Sequence, residues 1–162
     1  MKNHTLFIAQ GGIIATLYVV LTIVFAPISF ESMQLRVAEA LTILPLFTPA
    51  AVPGLFVGCL ISNIIGGGSV LDIVFGSIAT LIGAVSGYRL RSNRWLVPIP
   101  AIVSNTIIIP FVIKYGYGIN IPYYLQALYI AAGEIAGCFV LGELLASVLM
   151  PYRNIIFIVN DI

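Results

Sequence analysis

Long apolar runs, each closed by proline or glycine, recur from one end of the chain to the other. The first covers residues 5–26 and stops at Pro27. At 1.5 Å per residue it is long enough to cross a bilayer as a helix, which takes about 20 residues. A polar patch, ISFESMQ, follows. Beyond it, residues 35–47 are helical in pattern but reach only about 20 Å, so this second helix is expected to be short, tilted or half-embedded. Pro49 and Pro53 suit the first turn of a third helix ending near Ile65, where a missing amide hydrogen has no partner to lose. The GGGS run, Gly66 to Ser69, breaks the pattern. A fourth helix is predicted over residues 70–90. The fifth runs from Trp95 to about Ile113, with Pro98 and Pro100 in its first turns and Pro110 near its end. Residues 114–122, KYGYGINIP, read as a loop, and a long last helix spans residues 123–150 and closes at Pro151.

These spans are too long and too frequent for the core helices of a soluble domain, and a mean hydropathy of +1.12 agrees. The alternating period of an outer-membrane barrel is missing, which leaves helices as the way to satisfy the backbone in lipid. The expected fold is an all-α membrane protein: six transmembrane helices in a compact bundle, the second short, with residues 1–162 forming a single integral membrane domain. The first span is longer than a signal-peptide core and ends without a small-residue cleavage pattern, so it is expected to remain as a membrane helix. Six spans place both termini on one side. That side holds Lys2, Arg89, Arg91, Arg94 and Arg153, against Arg36 and Lys114 on the other. The positive-inside rule then puts the termini in the cytoplasm of a multi-pass cell-membrane protein surrounded by lipid. A formal net charge of +1, with no basic run and no acidic tail, gives nucleic-acid binding no support. No internal repeat is apparent, so the inverted-repeat architecture of many secondary transporters is not indicated.

Only 8% of the chain is charged, yet Arg36, Glu39, Asp72 and Glu134 fall inside or beside apolar runs, with Asn63 and Asn105. Ionisable groups in hydrocarbon cost several kcal/mol and are seldom kept without a task. With this topology Arg36 and Glu39 open the second helix at the outer side, Asn63 closes the third there and Asp72 opens the fourth. Asn105 and Glu134 lie about 13 to 17 Å below the outer surface by helical rise. The six are therefore expected to line a pocket open to the exterior, roofed by the loops at residues 27–34, 66–69 and 114–122. Plainer roles remain open. Arg36 and Glu39 also suit a local ion pair, Asp72 a first-turn acid, Asn63 a helix-end cap and Asn105 an interhelical hydrogen bond. Glu134, set among small residues in IAAGEIAG, is hardest to explain that way. Glu143 lies lower and outside the pocket.

Three acids against one base favour a ligand that bears a cation or many N–H donors. A guanine-like edge fits, because a carboxylate accepts from its ring N–H and amino group together while an Asn amide or Arg answers the carbonyl. Tyr88, Tyr115, Tyr117, Tyr123, Tyr124 and Tyr129 are candidates to stack on a planar ring, although aromatics near membrane interfaces ordinarily form belts. Cys59 and Cys138 sit in apolar helix patterns without histidine neighbours and read as small hydrophobes, not metal ligands. His4 is the only histidine and no nucleophile–base pair is evident, so an enzyme is not indicated. No phosphate loop occurs, and Lys2 and Lys114 are the only lysines, so uptake driven by ATP needs an outside motor. Gly11 and Ala15, four apart on the first helix with Gly12 and Thr16 alongside, form a small-residue face suited to a partner helix or to packing within the bundle.

The run from Gln34 to Ala84 resembles the QueT family of membrane proteins, through Arg36, Glu39, Pro45, Pro49, Pro53, Gly54, Asn63, Asp72 and Gly76. The similarity extends more loosely through Asn105 and Glu134. It implies a prokaryotic six-helix S component, the substrate-binding subunit of an energy-coupling factor transporter. It further implies a queuosine precursor of the 7-deazaguanine class as ligand, such as the aminomethyl or cyano base or queuine. The implied partners are a transmembrane coupling protein and two ATPase subunits, with no cofactor, and Gly11 and Ala15 are implied to dock on the coupling protein. The expected roles are Glu134 or Glu39 on the guanine-like edge, completed by Asn63 and Asn105, Asp72 near any amine of the ligand, and Arg36 bracing Glu39. An autonomous proton-coupled carrier, or an S component for another vitamin-like heterocycle, is the alternative reading.

Overall fold

The computed structural model describes residues 2–26 and 36–157; the loop at residues 27–34, expected to help roof the pocket, lies outside them. Helix α1, Lys2–Val24, buries Ile14, Ala15, Tyr18 and Thr22 along one face and exposes Ile8, Ile13, Val20 and Val24. An apolar outer face of this kind is at home in lipid. The second helix, α2, Val37–Leu46, is a 3₁₀ helix with Pro45 inside it. At about 2.0 Å per residue it advances roughly as far as the predicted longer α-helix would. Its residues Ala38 to Pro45 are all buried, because α2 threads between α1 and the later helices.

Glycine lets the flanking helices close in. Helix α3, Ala51–Ile65, starts just after Pro49 and lies along α1. A Cβ on Gly58 would stand 2.7 Å from Tyr18 Cβ, and one on Gly54 2.7 Å from the Gly11 carbonyl oxygen. This is the small-residue packing by which membrane helices associate. The predicted GGGS break follows, with Gly67 at φ +73°, a conformation costly for residues with a Cβ. A π-helical turn, Asp72–Gly76, leads into α4, Ser77–Arg89. A 3₁₀ turn, Arg94–Leu96, leads into α5, Ile99–Gly116. There Gly83 and Gly87 repeat the device against Ala101 and Val97.

Helix α5 runs one turn beyond its predicted end, so Lys114, Tyr115 and Gly116 are helical, Pro110 is internal, and Tyr117 becomes the C-cap. The last long helix is α6, Tyr123–Glu134, then a π segment, Ile135–Leu141, then α7, Gly142–Leu149. It does not close at Pro151: a 3₁₀ turn, Met150–Tyr152, and α8, Arg153–Ile156, follow. Pro151 sits at the start of that turn, where a missing N–H removes no bond. The chain then folds back: Phe157 stacks on Phe47 with centroids 5.0 Å apart, and Gln10 Nε2 donates to the Ile156 carbonyl at 3.2 Å. Every element among the described residues is helical. Three stretches are long and apolar enough to cross a membrane, His4–Val24, Arg94–Gly116 and Tyr123–Ile156, with Val37–Leu46 and Ala51–Ile65 as shorter apolar helices.

Candidate ligand-binding site

The π turn after the glycine loop sets Asp72 at the meeting point of four segments. Tyr117, the cap of α5, donates its hydroxyl to Asp72 Oδ2 at 2.8 Å and accepts from the Ser69 amide at 3.2 Å, so one phenol ties two loops to the acid. Arg36 Nη2 lies 3.6 Å from the same Oδ2. Asn63 Nδ2 donates to the Asp72 carbonyl at 3.2 Å. Glycine makes room for the carboxylate: a Cβ on Gly76 would stand 2.8 Å from Asp72 Oδ1. Asn63 and Asp72 are fully buried, yet Oδ1 of each has no hydrogen-bond partner. Burial, with the Asp72 carboxylate beside it, holds the Tyr117 phenol above its ordinary range, so it remains a donor at neutral pH.

A second group lies on the other side of the first turn of α2, where the Glu39 amide donates to the Arg36 carbonyl at 3.0 Å. Glu39 Oε1 accepts the hydroxyl of Tyr18 from α1. Cys138 donates to Glu134 Oε2 at 3.1 Å and reaches Glu39 Oε2 at 3.9 Å, and the Asn105 side chain hydrogen-bonds Glu134. The π segment begins directly after Glu134 and brings Gly137 against α2, where a Cβ would stand 3.0 Å from the Arg36 carbonyl oxygen. Thus Arg36, Glu39, Asn63, Asp72, Asn105 and Glu134, drawn from five segments, form two buried groups joined through the first turn of α2.

Arg36, expected to brace Glu39, also pairs with Asp72, and three participants were not expected from the sequence. Tyr18 is a hydroxyl in the middle of an apolar span, which must find a partner when buried. Cys138 lies four residues beyond Glu134. Read as a plain hydrophobe, it acts instead as a donor between carboxylates. Cys59 likewise receives Thr80 Oγ1 at 3.3 Å and Asn63 Nδ2 at 3.7 Å. Tyr117 was foreseen only as a stacking candidate; Tyr115, Tyr123, Tyr124 and Tyr129 are exposed, as belt residues are. One oxygen each of Glu39 and Glu134 and the Cys138 sulfur lie within 4.8 Å of one another. That set suits zinc by ligand type, but the protein's own donors already account for the arrangement. Glu143 stands apart, accepting from Arg94 Nε at 2.8 Å.

Ala15 is buried against α3, so part of the small-residue face of α1 is used inside the bundle. Beside it a groove of about 280 Å³ remains between α1 and α3, lined by Phe7, Gly11, Gly12, Ala15, Pro53 and Val57 among others. A groove of about 460 Å³ along Phe75 and Phe111 presents no charged group to a polar ligand.

Membrane-length apolar helices together with a buried, acceptor-rich polar network fit a helical membrane protein. The chain belongs to the QueT transporter family, whose family model matches residues 8–151. Among curated proteins it is similar to the queuosine precursor transporter QueT of Lactococcus lactis subsp. cremoris (strain MG1363), 34% identical over 83 residues. That match covers 50% of this chain and 48% of the relative, so it spans about half the relative's length. No solved structure matches the chain.

Proposed function

We propose that this chain is the S component of an energy-coupling factor importer, binding a 7-deazaguanine precursor of queuosine from the outside of the cell. The observation that carries the reading is the convergence of Arg36, Glu39, Asn63, Asp72, Asn105 and Glu134 in one buried network. In a hydrocarbon setting such residues are costly, and where they occur they usually mark a functional site. Membership of a transporter family supports it. So does the sequence itself, which has no phosphate loop and therefore needs an external motor: a transmembrane coupling protein with two ATPase subunits.

In this reading the six helices cross the membrane with both termini in the cytoplasm, and Asp72 lies toward the outside. Glu134 or Glu39 accepts the ring N–H and amino group of the ligand, and Asn105 completes that edge. The groove beside Gly11 and Ala15 receives a helix of the coupling protein. Calorimetry of the detergent-solubilised protein against purines and deazapurines tests the ligand. Rings with an amino-pyrimidinone edge are expected to bind and adenine is not; equal binding of adenine contradicts the reading.

A further inference from the structure

The two halves of the polar network are not equally satisfied, and the difference selects among possible ligands. Around Glu39 and Glu134, the hydroxyl of Tyr18, the thiol of Cys138 and the amide of Asn105 already donate. Around Asp72 the donors converge on Oδ2, which takes the Tyr117 hydroxyl at 2.8 Å and lies 3.6 Å from Arg36 Nη2. Oδ1 of Asp72 and Oδ1 of Asn63 are buried acceptors with no hydrogen-bond partner, on residues linked by the bond from Asn63 Nδ2 to the Asp72 carbonyl. A buried acceptor left unmet carries its full desolvation cost, so a donor is wanted there.

We infer that Asp72 and Asn63 form a subsite for a protonated amine, so that the preferred ligand is a 7-deazaguanine carrying a primary ammonium on its substituent. An ammonium brings three donors, which is what the unpartnered oxygens of Asp72 and Asn63 call for. A cyano group brings none, being an acceptor set against acceptors. The guanine-like edge is left to Glu39 or Glu134, so the ring and its substituent are read by separate halves of the network. Tyr117 and the loop at Gly68 lie against Asp72, whose burial strengthens its interaction with an amine. This inference rests on the 7-deazaguanine reading above and goes beyond it.

The test is calorimetry at pH 7 on the full-length purified protein, with the aminomethyl and the cyano base as probes. The aminomethyl base is expected to bind at least about tenfold more tightly, the scale of one charge-assisted hydrogen bond. In Asp72→Asn, affinity for the aminomethyl base falls until the two probes bind within about threefold. Thermal melting checks that the variant is folded; if it is not, the comparison in the native protein decides by itself. Equal or tighter binding of the cyano base overturns the amine subsite and leaves the 7-deazaguanine reading standing. Equal loss of both probes in folded Asp72→Asn assigns Asp72 to the fold and also overturns the subsite. Failure of both probes to bind the native protein overturns the two readings together.

Discussion

A carboxylate buried among helices has few uses, and Glu134 and Glu39 meet the strictest version of that condition, with their oxygens gathered around Cys138. A neutral amide keeps the shape of glutamate but cannot accept from two N–H groups of a guanine-like edge with full charge. Glu134→Gln is therefore expected to weaken ligand binding at least about tenfold while the protein stays folded, measured by calorimetry beside a thermal melt. Unchanged affinity in both Glu134→Gln and Glu39→Gln would reject this half of the site. Tyr117 gives a pH prediction. Its phenol is held above the ordinary value by burial and by Asp72, so its contribution is complete below about pH 10. It is lost as the pH rises further through the folded-state value. Native melting temperatures should show this alkaline component, and Tyr117→Phe, which lacks the titrating hydroxyl, should not.

The residues that meet in the candidate network were legible because a charge in an apolar run is conspicuous. Their partners were not. Tyr18 and Cys138 sit among Val, Leu, Ile and Phe and differ from them by one polar atom. Only the placement of Glu39 across from them turns that atom into a donor.

At the scale of elements, proline and glycine gave most of the boundaries: the GGGS break and the start of α6 after Pro122 lie where expected. Less could be read where hydrogen-bond spacing changes within an apolar run. The 3₁₀ form of α2 and the π turns at Asp72 and after Glu134 leave the hydropathy pattern unaltered. Both π segments adjoin an acid of the site, in keeping with the tendency of such bulges to occur at functional positions. The seam between α1 and α3 is set by glycine, and this too is testable. In Gly58→Val the added Cβ meets Tyr18 Cβ at 2.7 Å, forcing the helices apart at a cost of about 1–3 kcal/mol. A lower melting temperature and weaker ligand binding should appear together, since Tyr18 holds Glu39. Gly12→Ala, with nothing within 4 Å of the new carbon, should lower neither.

Across the whole molecule, the polar network occupies the interior and the groove beside α1 remains free on the outside. Under the proposed function, these two features separate binding from coupling. A bulky side chain at Gly12, as in Gly12→Leu, fills the groove without touching the network. It should abolish transport by the assembled complex while preserving ligand affinity; retained transport would remove the groove from the docking surface. The central claim, that this chain binds but does not transport by itself, is tested most directly in liposomes with a labelled 7-deazaguanine. The account predicts saturable binding with no accumulation under a pH gradient, and accumulation only when a coupling protein, its ATPases and ATP are present. Accumulation driven by the pH gradient with this chain alone would contradict it.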